Sequence, residues 1–147
     1  DVTTEFGEFK LNVWRDVIFD EYHFSLTKGS PEKVDVPMVR VQTQSVLQDT
    51  LGIDEIGKKW SIRKSLQKIA DEGTGVFVLI NHRDAKTYWL SNLKDENIEP
   101  KKNRRVIGIG SQILRAIGLN KIKVLGTPTK YSGLSGFNIE IEGFIDE

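Results

Sequence analysis

The run Val-Phe-Val-Leu-Ile at residues 76–80 constrains the fold more than any other feature of this sequence. Five consecutive apolar residues without polar alternation are typical of a strand that is buried on both faces. Before this run, residues 56–70 place apolar side chains at helical spacing, and Gly73 stands where a left-handed residue would end a helix. The sequence therefore predicts a helix followed by a strand covered on both sides.

The same order of helix and strand recurs later in the chain. Residues 111–117 predict a second helix that ends at Gly118, and residues 121–125 predict the strand that follows it. A third unit has a short helix near Ser132 and a strand over residues 137–141. Repeated helix-then-strand units favour parallel pairings in one sheet.

The first third of the chain has a different character. Residues 8–14 alternate apolar and polar side chains, residues 22–27 and 36–42 repeat this pattern, and Gly29, Ser30 and Pro31 provide a turn. Pro37 indicates a sheet edge or the start of a strand. We predict a mixed α/β fold in one domain over residues 1–147, with an N-terminal antiparallel β portion followed by helix–strand units on a mixed sheet.

Composition excludes several classes of partner. The 147 residues carry 21 basic and 21 acidic side chains, so no net charge recruits nucleic acid or an acidic membrane surface. There is no cysteine, and no apolar run approaches the roughly 20 residues of a membrane span. We expect a soluble, cytoplasmic protein. Because the chain begins at Asp1 without a methionine, we also expect it to be a piece of a longer polypeptide.

Two loop-like segments allow a functional and a structural interpretation. Residues 84–105 lack apolar periodicity and predict an irregular connection that ends in a basic cluster at residues 101–105, either an anion site or solvated surface. Gly108 and Gly110 precede a predicted helix, as in a dinucleotide-binding loop, but the third glycine of that motif is missing. Close packing at the helix start is the alternative that we favour.

Several ordered blocks of residues resemble GTP cyclohydrolase II, an enzyme of riboflavin synthesis. The resemblance extends over nearly the whole chain and rests on residues 4–9, 24–29, 39–41, 69–76 and 108–114, then on Pro128, Lys130, Gly133, Leu134 and Gly136. In bifunctional members of that family this domain follows a dihydroxybutanone-phosphate synthase domain. The resemblance therefore implies a fused upstream synthase, a homodimer, and residues 1–9 as the end of the linker between the two domains.

The resemblance also implies a lost metal site. The family holds zinc with three cysteines, activates water to open the guanine ring and release formate, and removes pyrophosphate with magnesium. The first cysteine corresponds here to Ser45, and the other two fall near residues 56–58. None of these side chains replaces a thiolate, so we expect no zinc and no other cofactor.

Parts of the family's substrate site are altered and parts remain. The phosphate- and guanine-binding run corresponds to residues 81–85, where Arg83 and Ala85 depart from the pattern, and the helical segment after it is reduced to residues 88–100. Asn103 stands where the family has an aspartate. Arg105 corresponds to the arginine proposed to attack the α-phosphate, and Arg40 and Lys130 correspond to substrate-binding residues.

Three functions fit this pattern. The first is a GTP cyclohydrolase II-like domain inactive in ring opening that serves the assembly, stability or regulation of a fused synthase, so that the full-length enzyme is a lyase. The second is zinc-independent pyrophosphate release through Arg105. The third is a sensor that binds GTP, phosphate or a riboflavin intermediate through the retained Arg40 and Lys130.

Two further sets of residues allow a ligand-binding interpretation, but each also has an ordinary structural explanation. His23, His82 and Asp84 could be imagined as replacement zinc ligands, but their spacing is not that of a metal site. Trp14, Trp60 and Trp89 could stack on a ligand, although a tryptophan in a small domain is more often part of the packing.

Overall fold

The computed structural model describes residues 1–56, 59–81, 100–127 and 138–146. Within them the regular elements are, in chain order, the strands β1 (Val2–Thr4), β2 (Gly7–Asp16), β3 (Glu21–Lys28) and β4 (Met38–Thr43), helix α1 (Ile62–Glu72), strand β5 (Gly75–Ile80), helix α2 (Pro100–Ile117), and strands β6 (Lys121–Leu125) and β7 (Glu140–Ile145). Short 3-10 turns occur at Pro31–Lys33 and Asp54–Ile56, and a π-helical turn at Val46–Thr50.

The strands form one mixed sheet in the order β1-β2-β3-β5-β4-β6-β7. The pairs β1–β2, β2–β3 and β3–β5 are antiparallel, whereas β4–β5, β4–β6 and β6–β7 are parallel. The predicted fold class, with an antiparallel first part and parallel pairings in the second, is confirmed. Pro37 marks a strand start, because β4 begins at Met38.

The sheet is packed on both faces, as the run at residues 76–80 predicts. One face packs against α2 in a core centred on Val39, Val78 and Leu114, and the other packs against α1 around Phe77 and Ile69. Both described tryptophans belong to this packing. Trp14 lies against the first core and donates its indole N–H to Ser25 Oγ at 2.8 Å, and Trp60 is buried in the second.

Helix α1 ends as predicted but begins later. Gly73 has φ of 81° and donates its N–H to the carbonyls of Ile69 and Ala70, which closes the helix. The predicted start at Ile56 is wrong, because Ser61 is the N-cap and its Oγ accepts the N–H of Lys64 at 3.2 Å. Residues 54–56 form a separate 3-10 turn instead.

Helix α2 is longer than predicted and corrects two interpretations. It begins at Pro100, so the basic cluster at residues 101–105 is helical and not part of a loop. Proline suits this position because the first helical N–H needs no partner. Gly108 and Gly110 lie inside the helix, which rules out a dinucleotide loop. An added Cβ at Gly110 would come within 2.7 Å of Val41 Cγ1, so this glycine lets α2 approach the sheet closely.

Three predicted segments need a correction or lie outside the described residues. The sequence predicts the last strand over residues 137–141, but β7 spans Glu140–Ile145. Residues 1–9, expected to end a linker, contain β1 and the start of β2, with Phe9 buried, and therefore belong to the sheet. The short helix near Ser132 and residues 84–99 of the predicted irregular connection lie outside the described residues. Among the helices in the described part, none is both long and apolar enough to span a bilayer.

Candidate functional site

Ser45, which the resemblance aligns with the first zinc cysteine, begins a helical turn just after β4. Its Oγ accepts the N–H of Gln48 at 3.4 Å, and its own N–H donates to Asp49 Oδ2 at 2.7 Å. The side chain is buried and serves as the N-cap of the π-helical turn Val46–Thr50. Ser45 therefore takes part in local backbone capping.

Asp49 joins this turn to helix α1. While Oδ2 accepts from Ser45, Oδ1 accepts the N–H of Ile62, the first residue of α1, at 3.3 Å. An acid at a helix N-terminus also interacts favourably with the helix dipole. Two backbone N–H groups that donate to one carboxylate thus hold the segment between β4 and α1, to which the resemblance assigns the zinc cysteines.

The side chains at Ser45 and elsewhere in the chain do not suit the zinc ion that the family binds through cysteines. The chain offers no thiolate, the Ser45 hydroxyl already accepts a backbone N–H, and a neutral hydroxyl is a poor zinc ligand. Residues 57–58 and the side chain of Ile56, the remaining predicted positions, lie outside the described part of the chain.

Replacing Asp49 with alanine should lower the free energy of unfolding by about 1.5 kcal/mol, because two backbone N–H groups near the start of α1 lose their acceptor. Urea unfolding followed by circular dichroism measures this loss. Asp54→Ala is the matched control, since Asp54 is exposed in the same segment and should change stability by less than about 0.5 kcal/mol. Equal effects of the two variants would contradict the role of Asp49 in connecting the turn at Val46–Thr50 to α1.

Arg40, predicted to bind substrate, holds three parts of the fold together. From β4 its guanidinium donates to Gln42 Oε1 at 2.8 Å, to the carbonyl of Leu125 at the end of β6 at 2.8 Å, and to the carbonyl of Trp60 before α1 at 3.1 Å. Charged donors make the stronger class of hydrogen bond. Arg40 therefore stabilises the fold by connecting β4 to the end of β6 and to the segment before α1.

Arg105, the predicted catalytic remnant, lies on α2 and points to the β2–β3 hairpin. Its Nη2 donates to Glu21 Oε2 at 2.6 Å, and the guanidinium carbon lies 3.9 Å from the centre of the Phe19 ring. Glu21 is only 6% exposed, so the pair is shielded from water on the carboxylate side. The charge of Arg105 is largely compensated inside the protein, although its Nε is buried and has no partner among the described residues.

His23 lies beside this ion pair and is 1% exposed. Its Nδ1 accepts the N–H of Asn81 at 3.0 Å, so a neutral ring must carry its proton on Nε2. Nε2 lies 3.9 Å from Glu21 Oε2, too far for a hydrogen bond, and has no other partner in the described residues. Burial lowers the pKa of His23; Glu21 and Asp16 raise it, and Arg105 lowers it further.

Asp16, Glu21 and His23 bring three ligand atoms within 4.8 Å of one another, but their chemistry does not suit a cation. The Asn81 hydrogen bond to Nδ1 leaves a proton, not a lone pair, on His23 Nε2. Arg105 already neutralises Glu21. The cluster is better described as an ion pair with a neutral histidine beside it. The alternative zinc ligands considered with His23 are His82 and Asp84, and both lie outside the described residues.

Stability should fall as pH decreases below about 6.5, the ordinary histidine value in the unfolded chain. Because the pKa of folded His23 is lowered, the unfolded state binds the proton first, and the contribution present above pH 6.5 is lost as pH falls toward the folded pKa. Urea unfolding across this range measures the slope. His23→Gln should flatten it, and a flat wild-type profile would exclude the effect.

The structure separates the predicted site residues. Arg40 connects β4 to the end of β6 and to Trp60 before α1, whereas Arg105 pairs with Glu21 on β3. Lys130, residues 82–85 and residues 88–99 of the shortened segment lie outside the described residues, as does the side chain of Asn103. Sequence reasoning missed Glu21, although an acid two residues before His23 on the same strand face was a usable signal.

Comparison with known proteins gives one consistent result. A family model described as GTP cyclohydrolase II matches residues 1–146. A Pseudomonas aeruginosa protein named 3,4-dihydroxy-2-butanone 4-phosphate synthase is 30% identical over 97% of this chain and 40% of its own length. A Cytophaga hutchinsonii protein named riboflavin biosynthesis protein RibBA is 30% identical over 96% of this chain and 38% of its own.

Solved structures agree with the sequence matches. The crystal structure of RibBX, a two-domain 3,4-dihydroxy-2-butanone 4-phosphate synthase from A. baumannii, superposes with a TM-score of 0.67 at 27% identity, covering 99% of this chain and 38% of that one. The chain therefore spans about 40% of the length of the relatives that it matches.

Proposed function

The chain belongs to the GTP cyclohydrolase II family, and from this premise we propose that it is a domain of a riboflavin biosynthesis protein that does not open the ring of GTP. Its role is to support, structurally or by regulation, a dihydroxybutanone-phosphate synthase domain fused upstream. The observation that carries the proposal is Ser45, which the resemblance aligns with the first zinc cysteine and whose side chain caps a helical turn. A homodimer and a cytoplasmic location are part of the same proposal.

Loss of zinc has a large chemical consequence. Bound zinc lowers the pKa of water from about 16 to about 7, so without it hydroxide is scarce at neutral pH. No described side chain near Ser45 offers another way to lower the pKa of a water molecule to a similar extent. The retained arginines do not compensate, because guanidinium groups stay protonated and cannot act as general bases at neutral pH.

The relatives support the synthase part of the proposal. Proteins named as the synthase, and one titled a two-domain synthase, each contain a region similar to this chain in about 40% of their length. Two domains on one polypeptide are held at high local concentration, so even a weak contact between them is populated. A domain without turnover could in this way stabilise its neighbour.

The test uses the full-length protein. Arg40→Met should destabilise this domain without touching the synthase, so we expect faster thermal inactivation of synthase activity or loss of its assembly. Arg15→Met, which removes an exposed ion pair, is the control and should have no effect. Unchanged synthase stability in the Arg40 variant, with this domain shown to be unfolded, would refute a supporting role.

A second candidate is a sensor for GTP or phosphate. The observation that favours it is a pair of buried donors, Arg105 Nε and His23 Nε2, that have no acceptor among the described residues. An anion oxygen reaching them would satisfy both groups. The test is the melting temperature of the chain with GTP, pyrophosphate or inorganic phosphate, where a rise absent in Arg105→Met supports the sensor and no rise excludes it.

Zinc-independent pyrophosphate release is the third possibility and has weaker support. Arg105 would have to leave Glu21 and Phe19 to reach a phosphate. Release of pyrophosphate from GTP that is lost in Arg105→Ala and insensitive to zinc chelation would establish it. We expect no release above the rate of the buffer alone.

A further inference from the structure

The tip of the β2–β3 hairpin presents two adjacent apolar side chains to solvent. Val17 and Ile18 are exposed by 79% and 82%, the highest values among the large apolar side chains of the described residues. They lie beyond the last strand pair of the hairpin, Asp16 with Glu21, and therefore project from the end of the sheet and not from either of its faces. A projecting pair of this kind is a small candidate contact surface.

The tip is held in a defined shape by its own domain. Asp16 Oδ1 accepts the N–H groups of Ile18 at 2.9 Å and Phe19 at 3.3 Å, which fixes the turn. The Phe19 ring lies 3.9 Å from the guanidinium carbon of Arg105, which connects the tip to α2. Because the turn is ordered before any partner covers it, little conformational entropy is lost on contact.

Strand β1 sets the direction in which a preceding segment of chain runs. In its antiparallel register Thr4 lies opposite Gly7 and Val2 opposite Phe9. Followed backwards from Thr4 to Val2, the backbone therefore runs along the edge of β2 toward the hairpin tip. Val17 is eight positions beyond Phe9, so about 27 Å of extended chain spans the distance. Residues that precede β1 in a longer protein leave this domain toward Val17 and Ile18.

This direction is fixed by contacts on both sides of the β1–β2 turn. Thr4 Oγ1 accepts the N–H of Phe6 at 3.1 Å and donates to the carbonyl of Gly7 at 2.9 Å. Arg63 of α1 donates to both carboxylate oxygens of Glu5, with Nη2 2.7 Å from Oε2, and its guanidinium lies 5.4 Å from the centre of the Phe6 ring. An exposed ion pair alone stabilises little, but together with the strand pairing these contacts hold β1 in one orientation.

The size of the tip decides between possible occupants. Val17 and Ile18 together expose an apolar area of at most a few hundred square ångström, whereas specific association of separate molecules begins near roughly 1,200 Å² of total buried surface. A contact this small does not hold a free partner. It is sufficient for a domain on the same polypeptide, because a short linker keeps the local concentration of that domain at about the millimolar level.

We propose that the Val17–Ile18 tip is the surface on which the synthase domain fused upstream packs, with the chain before β1 following the edge of β2 to that contact. The inference rests on the proposed function, because it requires the upstream synthase, and it names the surface through which this domain supports its neighbour. The carboxylate of Asp16 is used within the turn. The matching surface of the synthase is therefore apolar, not basic.

Photo-crosslinking in the full-length protein identifies what lies on the tip. Benzoylphenylalanine is introduced in place of Ile18 and, as a control, in place of Val34, which is 38% exposed and precedes β4 at the opposite end of the sheet. We expect intrachain cross-links from position 18 to the synthase domain, on the order of 10-fold more abundant than from position 34. Cross-links from position 18 to a second copy, detected by mixing labelled and unlabelled protein, or to neither, would overturn the proposal.

Thermal inactivation of the synthase activity of the full-length protein tests the consequence of the contact. Val17→Ser/Ile18→Ser should shorten the half-time on the order of 5-fold, because the apolar contact is lost, whereas Val34→Ser should leave it unchanged. Circular dichroism confirms that these variants are folded. Shortening in Arg40→Met but not in the tip variant would exclude the tip as the contact and leave the supporting role intact. No shortening in either variant would overturn both.

Discussion

Replacing Arg40 with methionine should lower the free energy of unfolding by about 3 kcal/mol. The guanidinium donates to Gln42 and to the carbonyls of Leu125 and Trp60, and methionine keeps the aliphatic stem but removes all these donors. Carbonyls left without a partner near the core cost more than the hydrogen bonds themselves contribute. The loss is measured by urea unfolding of the isolated chain.

Arg15→Met is the control for this substitution, because Arg15 makes one exposed ion pair with Asp20 and should change stability by less than about 1 kcal/mol. If Arg40 served mainly to bind a ligand, its removal would leave stability unchanged or increase it. Addition of GTP would then stabilise the wild type and not the variant. We expect the stability loss to be the same with and without GTP.

Replacing Glu21 with glutamine should cost about 2 kcal/mol, because Arg105 loses the carboxylate that compensates its charge. The value is below that of a fully buried pair, since the Arg105 side chain is 33% exposed and water can partly replace Glu21. Glutamine has nearly the same shape, so packing against His23 is preserved. Unfolding by urea at pH 7.5 measures the change.

A double-mutant cycle separates the pair from its surroundings. If Glu21 and Arg105 act on each other, Arg105→Met combined with Glu21→Gln should cost clearly less than the sum of the two single variants. Additive effects would mean that the 2.6 Å contact contributes little to stability. In that case Arg105 would be free to serve a ligand, and the sensor hypothesis would gain support.

The sequence predicts the elements whose patterns are local. The alternation over residues 8–14 predicts β2, and the apolar run at residues 76–80 predicts β5. The helices end at Gly73 and Gly118, and both glycines have positive φ angles. The start of α2 could not be predicted, because Pro100 and the charged residues after it have no apolar periodicity. Their helical state depends on the rest of α2, which packs against β4 and β5.

The site was predictable only in part. That Ser45 cannot replace a thiolate follows from its chemistry, whereas its capping of the turn at Val46–Thr50 depends on backbone geometry. The partner of Arg105 could not be predicted, because Glu21 is 84 residues away and the pairing depends on how α2 crosses the hairpin. The same holds for Arg40 and Leu125, which are 85 residues apart.

These contacts change how the retained arginines are interpreted. The resemblance aligns each of them with a functional arginine of the family, yet each also makes contacts that stabilise this fold. The absence of cysteine from the sequence and the internal hydrogen bonds of the two arginines are independent observations, and both agree with the proposed lack of ring opening. Both observations are consistent with the supporting role proposed above.

The measurement that tests this account most directly is formate release from GTP by the purified chain, with zinc and magnesium supplied and then removed by a chelator. Bound zinc is quantified in the same samples. We predict no formate above the buffer blank and no stoichiometric zinc under any condition. Formate release that depends on zinc would contradict the account and would require a ligand set other than the one described around Ser45.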